Sequence, residues 1–242
     1  MPRGQVHKMN IFRIIRGTSY PNHSRNEDCA EPEVDKFIIS QFVLETLIPA
    51  IGFHPFPLDE LMLMTATVVA LKPSHIFEWG THMGKSARAF HEISKAFGII
   101  TEIHSTDLPE NEYHLENIRK RRGAYVRRIS SVHLHLGDGL ETSLGIYAQF
   151  KTKIHPALFF LDGDHSYGSL RRELAAIRAA VPAAALMVHD TFYQSPESGY
   201  NTGPHQAVEE LIRSHPEEYL RLSTSLGLPG MTLLYPRTGL DR

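Results

Sequence analysis

The feature that most constrains this chain is a series of short apolar stretches, each ending in an acid or a glycine. They are HIFEWG (75–80), EIHSTD (102–107), VHLHLGDG (132–139), ALFFLDGDH (157–165) and AALMVHD (184–190). Helix-length segments separate them. Residues 58–71 form an apolar run ended by Pro73, and residues 85–97 place Ala89, Phe90, Ile93 and Phe97 on one side before Gly98. Residues 167–181 carry Leu170, Leu174, Ile177 and Val181 along one stripe, and 204–214 turn Ala207, Val208, Leu211 and Ile212 inward. A polar helix is predicted over about 110–122. ALFF and AALMV are apolar without alternation, as expected for strands covered on both faces. Strands alternating with helices imply a parallel sheet between two helical layers. The closing YLRLSTSLGLPGMTLLYP reads as two strands joined by a Gly/Pro turn. The expected fold is therefore α/β: a doubly wound, mostly parallel seven-stranded sheet with a C-terminal antiparallel hairpin.

Residues 35–51 are helix-like and no strand precedes residue 58, so 1–57 are expected to form an N-terminal arm and helical extension to a domain over 58–242. The first 25 residues hold Arg3, Lys8, Arg13, Arg16 and Arg25, with no acid before Glu27. This composition is faintly like a transit peptide but fits better a basic arm docked on the domain. A chain of 242 residues, 42% hydrophobic, can bury a full core. Its net charge of −2 gives no field favouring nucleic acid or membrane. A single cysteine, Cys29, excludes an internal disulfide framework and fits a reducing, cytoplasmic setting. No apolar stretch approaches the ~20 residues that span a bilayer. The expected partner is a small molecule, and a homo-oligomer is compatible with the sequence.

In open α/β sheets, ligands sit beyond the carboxyl ends of the strands. Asp107, Asp138, Asp162 and Asp190 each terminate an apolar strand there, which points to a ligand-binding edge. After the first strand, EWGTHMGKS supplies Gly80 and Gly84 for a tight turn, and a helix starting near Lys85 aims its free N–H groups at that turn. It is not the dinucleotide fingerprint, because Glu78 stands two positions before Gly80. Nor is it a phosphate loop, because Trp79 occupies the place of the first glycine. After the fourth strand, LDGDHSY (161–167) sets two aspartates and a histidine within four positions.

Together these residues resemble a class I S-adenosylmethionine-dependent methyltransferase, over roughly residues 58–236. The family's first motif, E-x-G-x-x-x-G, reads Glu78-Trp79-Gly80-Thr81-His82-Met83-Gly84. The resemblance implies that Glu78, Gly80, Thr81, Gly84 and Ser86 hold the methionine end of the cofactor. Asp107 would take the ribose hydroxyls, and Asp138 would lie at the adenine. A subgroup with sugar O-methyltransferases and cephalosporin hydroxylase-like proteins is closer. Its hallmark appears here as Phe160 to Tyr167 (FLDGDHSY), followed by His189-Asp190-Thr191. By that resemblance Asp162 lies beside the cofactor, takes part in catalysis and, with Asp190, ligates a metal. His189 stands where metal-dependent members have an acid, and His165 would be the general base. Mg²⁺ prefers oxygen, whereas an imidazole suits Mn, Fe, Co or Zn, so the metal is magnesium or another divalent ion. The implied activity is methyl transfer to a hydroxyl of a small molecule, a sugar or a natural product.

Several residues carry a structural reading as well. Asp164 suits a turn, Tyr167 the packing of a helix start, and Glu78 a buried acid held by backbone donors. His189 suits a ligand or a hydrogen-bonding partner of the ligands. RKRRGAYVRR (119–128) suits a solvated helix end, or a grip on an anionic substrate. Residues 192–203 suit a lid. The 15 histidines are scattered, and no other metal-ligand spacing is present. Two competing functions remain open at this level. One is a metal-dependent hydrolase using Asp162, Asp164, His165, His189 and Asp190, which would leave the glycine loop idle. The other is a cofactor-binding protein without methyl transfer.

Overall fold

A computed structural model describes residues 34–109, 121–150 and 156–237. The arm expected over 1–25 lies outside these residues, as does the polar helix expected over 110–122 except for 121 and 122, which form turns. Five strands run parallel: β1 (His75–Trp79), β2 (Glu102–Asp107), β3 (Val132–Leu136), β4 (Ala157–Leu161) and β5 (Ala185–His189). β6 (Tyr219–Ser223) and β7 (Met231–Pro236) form the antiparallel hairpin, and β7 pairs antiparallel with β5. The sheet order is β3-β2-β1-β4-β5-β7-β6. The expected seven-stranded mixed sheet is thus the observed one.

Before β1 come α1 (Lys36–Phe42), a π-helical stretch (Val43–Leu47), α2 (Ile48–Ile51) and α3 (Leu58–Leu71). Between and after the strands lie α4 (Lys85–Ala96), α5 (Gly139–Tyr147), α6 (Tyr167–Ala180) and α7 (Gly203–Ser214). β4 and β5 are buried at every position, which is why their sequences do not alternate. Leu158 and Phe160 point into a core with Leu61, Met64, Phe90 and Ile93 of α3 and α4. Phe159 and Leu161 point into a second core with Leu170, Leu174, Ile177 and Val208 of α6 and α7. Ile39, Phe42, Leu47, Ile51 and Phe56 belong to the first core. Burying each such side chain is worth roughly 1.5–3 kcal/mol, so residues 36–56 are an integral part of that layer.

β3 departs from the simple pattern. Val132 is buried, but Leu134 and Leu136 are 42% and 60% exposed. The opposite face of this edge gathers histidines. Residues i and i+2 of a strand share a face, so His133 and His135 lie together, and parallel register sets His133 beside His104. His104 stacks on Phe77 and His133 at centroid distances of 5.0 and 5.1 Å. Its Nε2 lies 3.4 Å from His75 Nδ1, and its Nδ1 lies 3.4 Å from His135 Nε2. Histidines scattered along the chain are thereby brought into one cluster.

The strand order reverses between β1 and β4, so the loops that follow these two strands are neighbours. Gly80 is at φ +86°, and a Cβ there would overlap the carbonyl oxygen of Asp162. Only glycine permits this approach, which joins the glycine loop to the end of β4.

Candidate active site

The loop after β1 is anchored from below. The Gly80 N–H donates to Thr106 O at 2.9 Å, and the Gly84 N–H, at the start of α4, donates to Thr81 O at 2.6 Å. The Thr81 hydroxyl is buried and bonded to Ser105 Oγ at 2.7 Å. Ser86 Oγ donates to Glu78 Oε1. Thr81, Ser86 and Glu78 therefore support the loop from inside. Glu78 is fully buried, and burial pushes its carboxyl up to about 8 against the hydrogen bond from Ser86. Its second oxygen has no hydrogen-bond partner among the described residues. Buried polar atoms are seldom left so, and a ligand's amino group would satisfy it.

Asp107, at the end of β2, is held in place. Its Oδ1 accepts from Leu108 N at 2.9 Å, and its Oδ2 accepts from His82 N at 3.3 Å and pairs with Arg122 Nε at 3.1 Å. Arg122 comes from the basic run and turns inward, neither solvated nor positioned as an open grip for an anion. Asp138 caps α5, accepting from Glu141 N at 2.9 Å, and pairs with Arg172 at 3.1 Å.

At the ends of β4 and β5, donor atoms of Asp162, His189 and Asp190 lie within 4.8 Å of one another. His189 Nδ1 is 2.9 Å from Asp162 Oδ1 and 3.8 Å from Asp190 Oδ1. Its Nε2 is 3.1 Å from Glu60 Oε2 on α3. Phe56 meets the imidazole edge-on at 5.1 Å. Burial alone would lower the His189 pKa, but Asp162, Glu60 and Asp190 raise it well above the ordinary value. Burial raises Glu60 in turn, against its bond to His189. Two carboxylates and one imidazole nitrogen at one point fit a divalent ion, and the nitrogen suits Mn, Fe, Co or Zn.

Asp190 is a hub. Its Oδ2 is 3.1 Å from His165 Nδ1 and accepts from Asn201 Nδ2 at 2.8 Å, while its Oδ1 accepts from the Tyr200 hydroxyl at 2.9 Å. Its backbone lies in the left-handed region at φ +58°, uncommon for a residue with a side chain. Such strain persists only where neighbours over-determine it. Here the Thr191 N–H bonds to Gly230 O at 3.0 Å, and the two loop side chains hold the carboxylate. Asp164 behaves as a turn residue, accepting from Ser166 N at 2.9 Å and Ser169 Oγ at 2.5 Å. Tyr167 opens α6 and donates to Glu210 on α7. A cleft of about 450 Å³ lies between residues 163–167 and 200–203, with His165, Tyr200 and Asn201 in its wall. Gly203 allows this: a Cβ there would overlap the His165 carbonyl oxygen and Tyr167 N.

The structure thus forms two groups from the sequence candidates. Asp162, His165, His189 and Asp190 meet directly; Glu78, Gly80, Thr81, Gly84, Ser86 and Asp107 build the loop beside them; Asp138 stands apart, capping its helix. Sequence reasoning passed over Glu60, Tyr200 and Asn201. Glu60 had a signal, since an acid four residues before Met64 and eight before Val68 lies on the buried stripe of α3. Nothing local marks Tyr200 or Asn201.

Against this geometry, a family model described as a methyltransferase domain matches residues 77–191. No curated protein matches the chain by sequence. Among solved structures, the SAH-bound methyltransferase PaMTH1 of Podospora anserina aligns with TM-score 0.52 and 17% identity, over 85% of this chain and 89% of that one. The O-methyltransferase TomG of Streptomyces achromogenes, in complex with SAM, aligns with TM-score 0.53 and 15% identity, over 84% and 91%. An O-methyltransferase of Bacillus cereus in complex with SAH gives TM-score 0.53 and 17% identity, over 84% and 92%. At these identities the structures establish a shared fold. With the family match, they bear out the resemblance to class I S-adenosylmethionine-dependent methyltransferases.

Proposed function

We propose that this chain transfers a methyl group from S-adenosylmethionine to a hydroxyl of a small molecule, a sugar or a natural product, with a divalent metal held by Asp162, His189 and Asp190. One observation carries the reading. Within the residues that match the methyltransferase model, a metal-competent donor set and a histidine stand beside a glycine loop, joined to it by the Gly80–Asp162 contact. The ligands of the PaMTH1, TomG and Bacillus cereus structures support the cofactor assignment.

When bound, the cofactor supplies an electrophilic methyl on a sulfonium, and the metal supplies positive charge that lowers the pKa of an acceptor hydroxyl. The chain's residues do the rest. Glu78 Oε2 is available beneath the loop for the cofactor's amino group, and the N–H groups at the start of α4 suit its carboxylate. Asp107 has two oxygens for two ribose hydroxyls, with Arg122 as the partner that must share it. Asp138 lies at the third strand end for the adenine. His165 Nδ1 lies 3.1 Å from Asp190 Oδ2, which suits Nε2 to take a proton from an acceptor in the adjoining cleft. Positioning both reactants and assisting proton loss are what such a transfer asks of a protein.

Thermal unfolding measured with S-adenosylmethionine, S-adenosylhomocysteine and divalent metals, singly and together, tests the reading. Stabilisation by either cofactor form, increased by metal, is expected. Stabilisation by metal with none from either cofactor form would instead support a metal-dependent hydrolase.

A further inference from the structure

Among the described residues, Glu60 is the one acid at this site contributed from outside the residues that match the methyltransferase model. It is 1% exposed and sits on the same helix face as Met64 and Val68. A buried carboxyl among apolar side chains costs free energy unless it is hydrogen-bonded. Its described side-chain partner is His189, at 3.1 Å through Nε2. Phe56 closes the ring's flank at 5.1 Å, and Phe160 lies 6.5 Å away, so the imidazole is held by apolar walls and by two directed contacts, Asp162 at Nδ1 (2.9 Å) and Glu60 at Nε2 (3.1 Å).

The Glu60 bond decides which nitrogen keeps its proton when a metal takes the other. A neutral imidazole has one N–H and one lone pair. When a metal replaces the proton on Nδ1, Nε2–H stays directed at Glu60 and the lone pair is on Nδ1, the atom that faces Asp162 at 2.9 Å and Asp190 at 3.8 Å. The carboxylate behind the ring also raises the basicity of the nitrogen in front. We propose that Glu60 is a positioning residue that fixes His189 as an Nδ1 donor, and that the Glu60–His189 pair sets the metal centre for a nitrogen-accepting divalent ion (manganese, iron, cobalt or zinc) in preference to magnesium. This inference rests on the metal reading above. Magnesium demands oxygen ligands in a near-octahedral set, and an imidazole aimed by a buried acid replaces one of them with nitrogen.

The test uses the full chain and two readouts that do not depend on turnover. The first is Co²⁺ affinity, followed by visible absorption, with Mg²⁺ as competitor. The second is the His189 Nε2–H signal in ¹⁵N-histidine-labelled, zinc-loaded protein, assigned by its loss in His189→Asn. Wild type should bind Co²⁺ and keep it against a large excess of Mg²⁺. Glu60→Met, which removes the acceptor and suits the apolar stripe, should weaken Co²⁺ binding by about 10–100-fold and lose the protected Nε2–H. Glu60→Leu repeats the measurement should the methionine variant not fold. Glu60→Gln, whose amide oxygen still accepts, should restore both readouts to within a few-fold of wild type. His189→Asp should let Mg²⁺ displace Co²⁺. If Glu60→Met binds Co²⁺ as tightly as wild type with Nε2–H still protected, the positioning role is wrong while the metal reading stands. If wild type holds Mg²⁺ as well as Co²⁺, the selectivity is wrong. If wild type binds none of these ions, the metal reading itself falls, and this inference with it.

Discussion

The Nδ1 atom of His165 lies 3.1 Å from Oδ2 of Asp190, a carboxylate that Tyr200 and Asn201 also hold, at 2.9 and 2.8 Å. In the proposed mechanism this contact orients the ring, and the other nitrogen serves the cleft that His165 lines. His165→Ala should lower turnover by ~10²–10⁴-fold, the usual worth of a general base, while affinity for S-adenosylhomocysteine stays within a few-fold. Initial rates beside calorimetric binding check both halves. Unchanged turnover would remove His165 from the proton-transfer role.

Gly80 is the tightest joint between the two loops of the site. Gly80→Ala must place a side chain at φ +86° and against the Asp162 carbonyl. The left-handed backbone alone costs roughly 1–2 kcal/mol, and the overlap adds to it. We expect a lower urea midpoint and weaker cofactor binding. Gly145→Ala, inside α5 with nothing within 4 Å of the new Cβ, is the control. It should stabilise by roughly 0.5–1 kcal/mol.

Metal binding should release a proton. Burial favours neutral His189, but Asp162, Glu60 and Asp190 override it and hold the pKa well above the ordinary value. At neutral pH the ring therefore carries a proton on the nitrogen that a metal needs. Affinity should rise with pH by about tenfold per unit until the ring's own pKa is passed. Zinc calorimetry in two buffers of different ionisation enthalpy should report about one proton released. Affinity independent of pH between ~6 and ~8 would contradict this charge state.

The histidine cluster predicts acid sensitivity. Burial first, then the neighbouring His133, His135 and His75, lower His104 from 6.5 to about 3, and burial and His133 lower His135. As pH falls, the unfolded chain takes up these protons before the folded one does. The stability involved is present above pH 6.5 and lost progressively towards about 3. The slope per group is up to ~1.4 kcal/mol per pH unit. His104→Phe, which keeps the stacking with Phe77, should flatten the decline in urea midpoint on acidification. An equal decline in this variant would place the sensitivity elsewhere.

What could be read in advance follows from the range of each interaction. The runs ALFFL and ALMVH name β4 and β5 outright, because strands covered on both faces need no alternation. The strand ends carried Asp162 and Asp190 with them, since each follows directly from its run. β3 was harder. A two-residue period offers two faces, and Leu134 and Leu136 read as the inner one, yet they are exposed while the histidines meet across the sheet. Which strand lies at an edge is a property of the assembled sheet. Glu60 was passed over, although an acid on an apolar stripe is a signal, because its partner lies 129 positions away. Tyr200 and Asn201 sit in a stretch without periodicity, and only the folded loop brings them to Asp190.

The placement of Phe56 and Glu60 against His189 bears on where the working unit of this chain begins. A boundary drawn at residue 58 severs Phe56 from the imidazole it covers, and a fragment confined to 77–191 keeps the three donor residues while discarding the acid behind one of them. Such a fragment would retain the motif residues without the aromatic ring and the buried acid packed against His189. Recombining this domain with a different N-terminal segment would exchange the environment of His189 and the proposed metal site while leaving every motif residue in place.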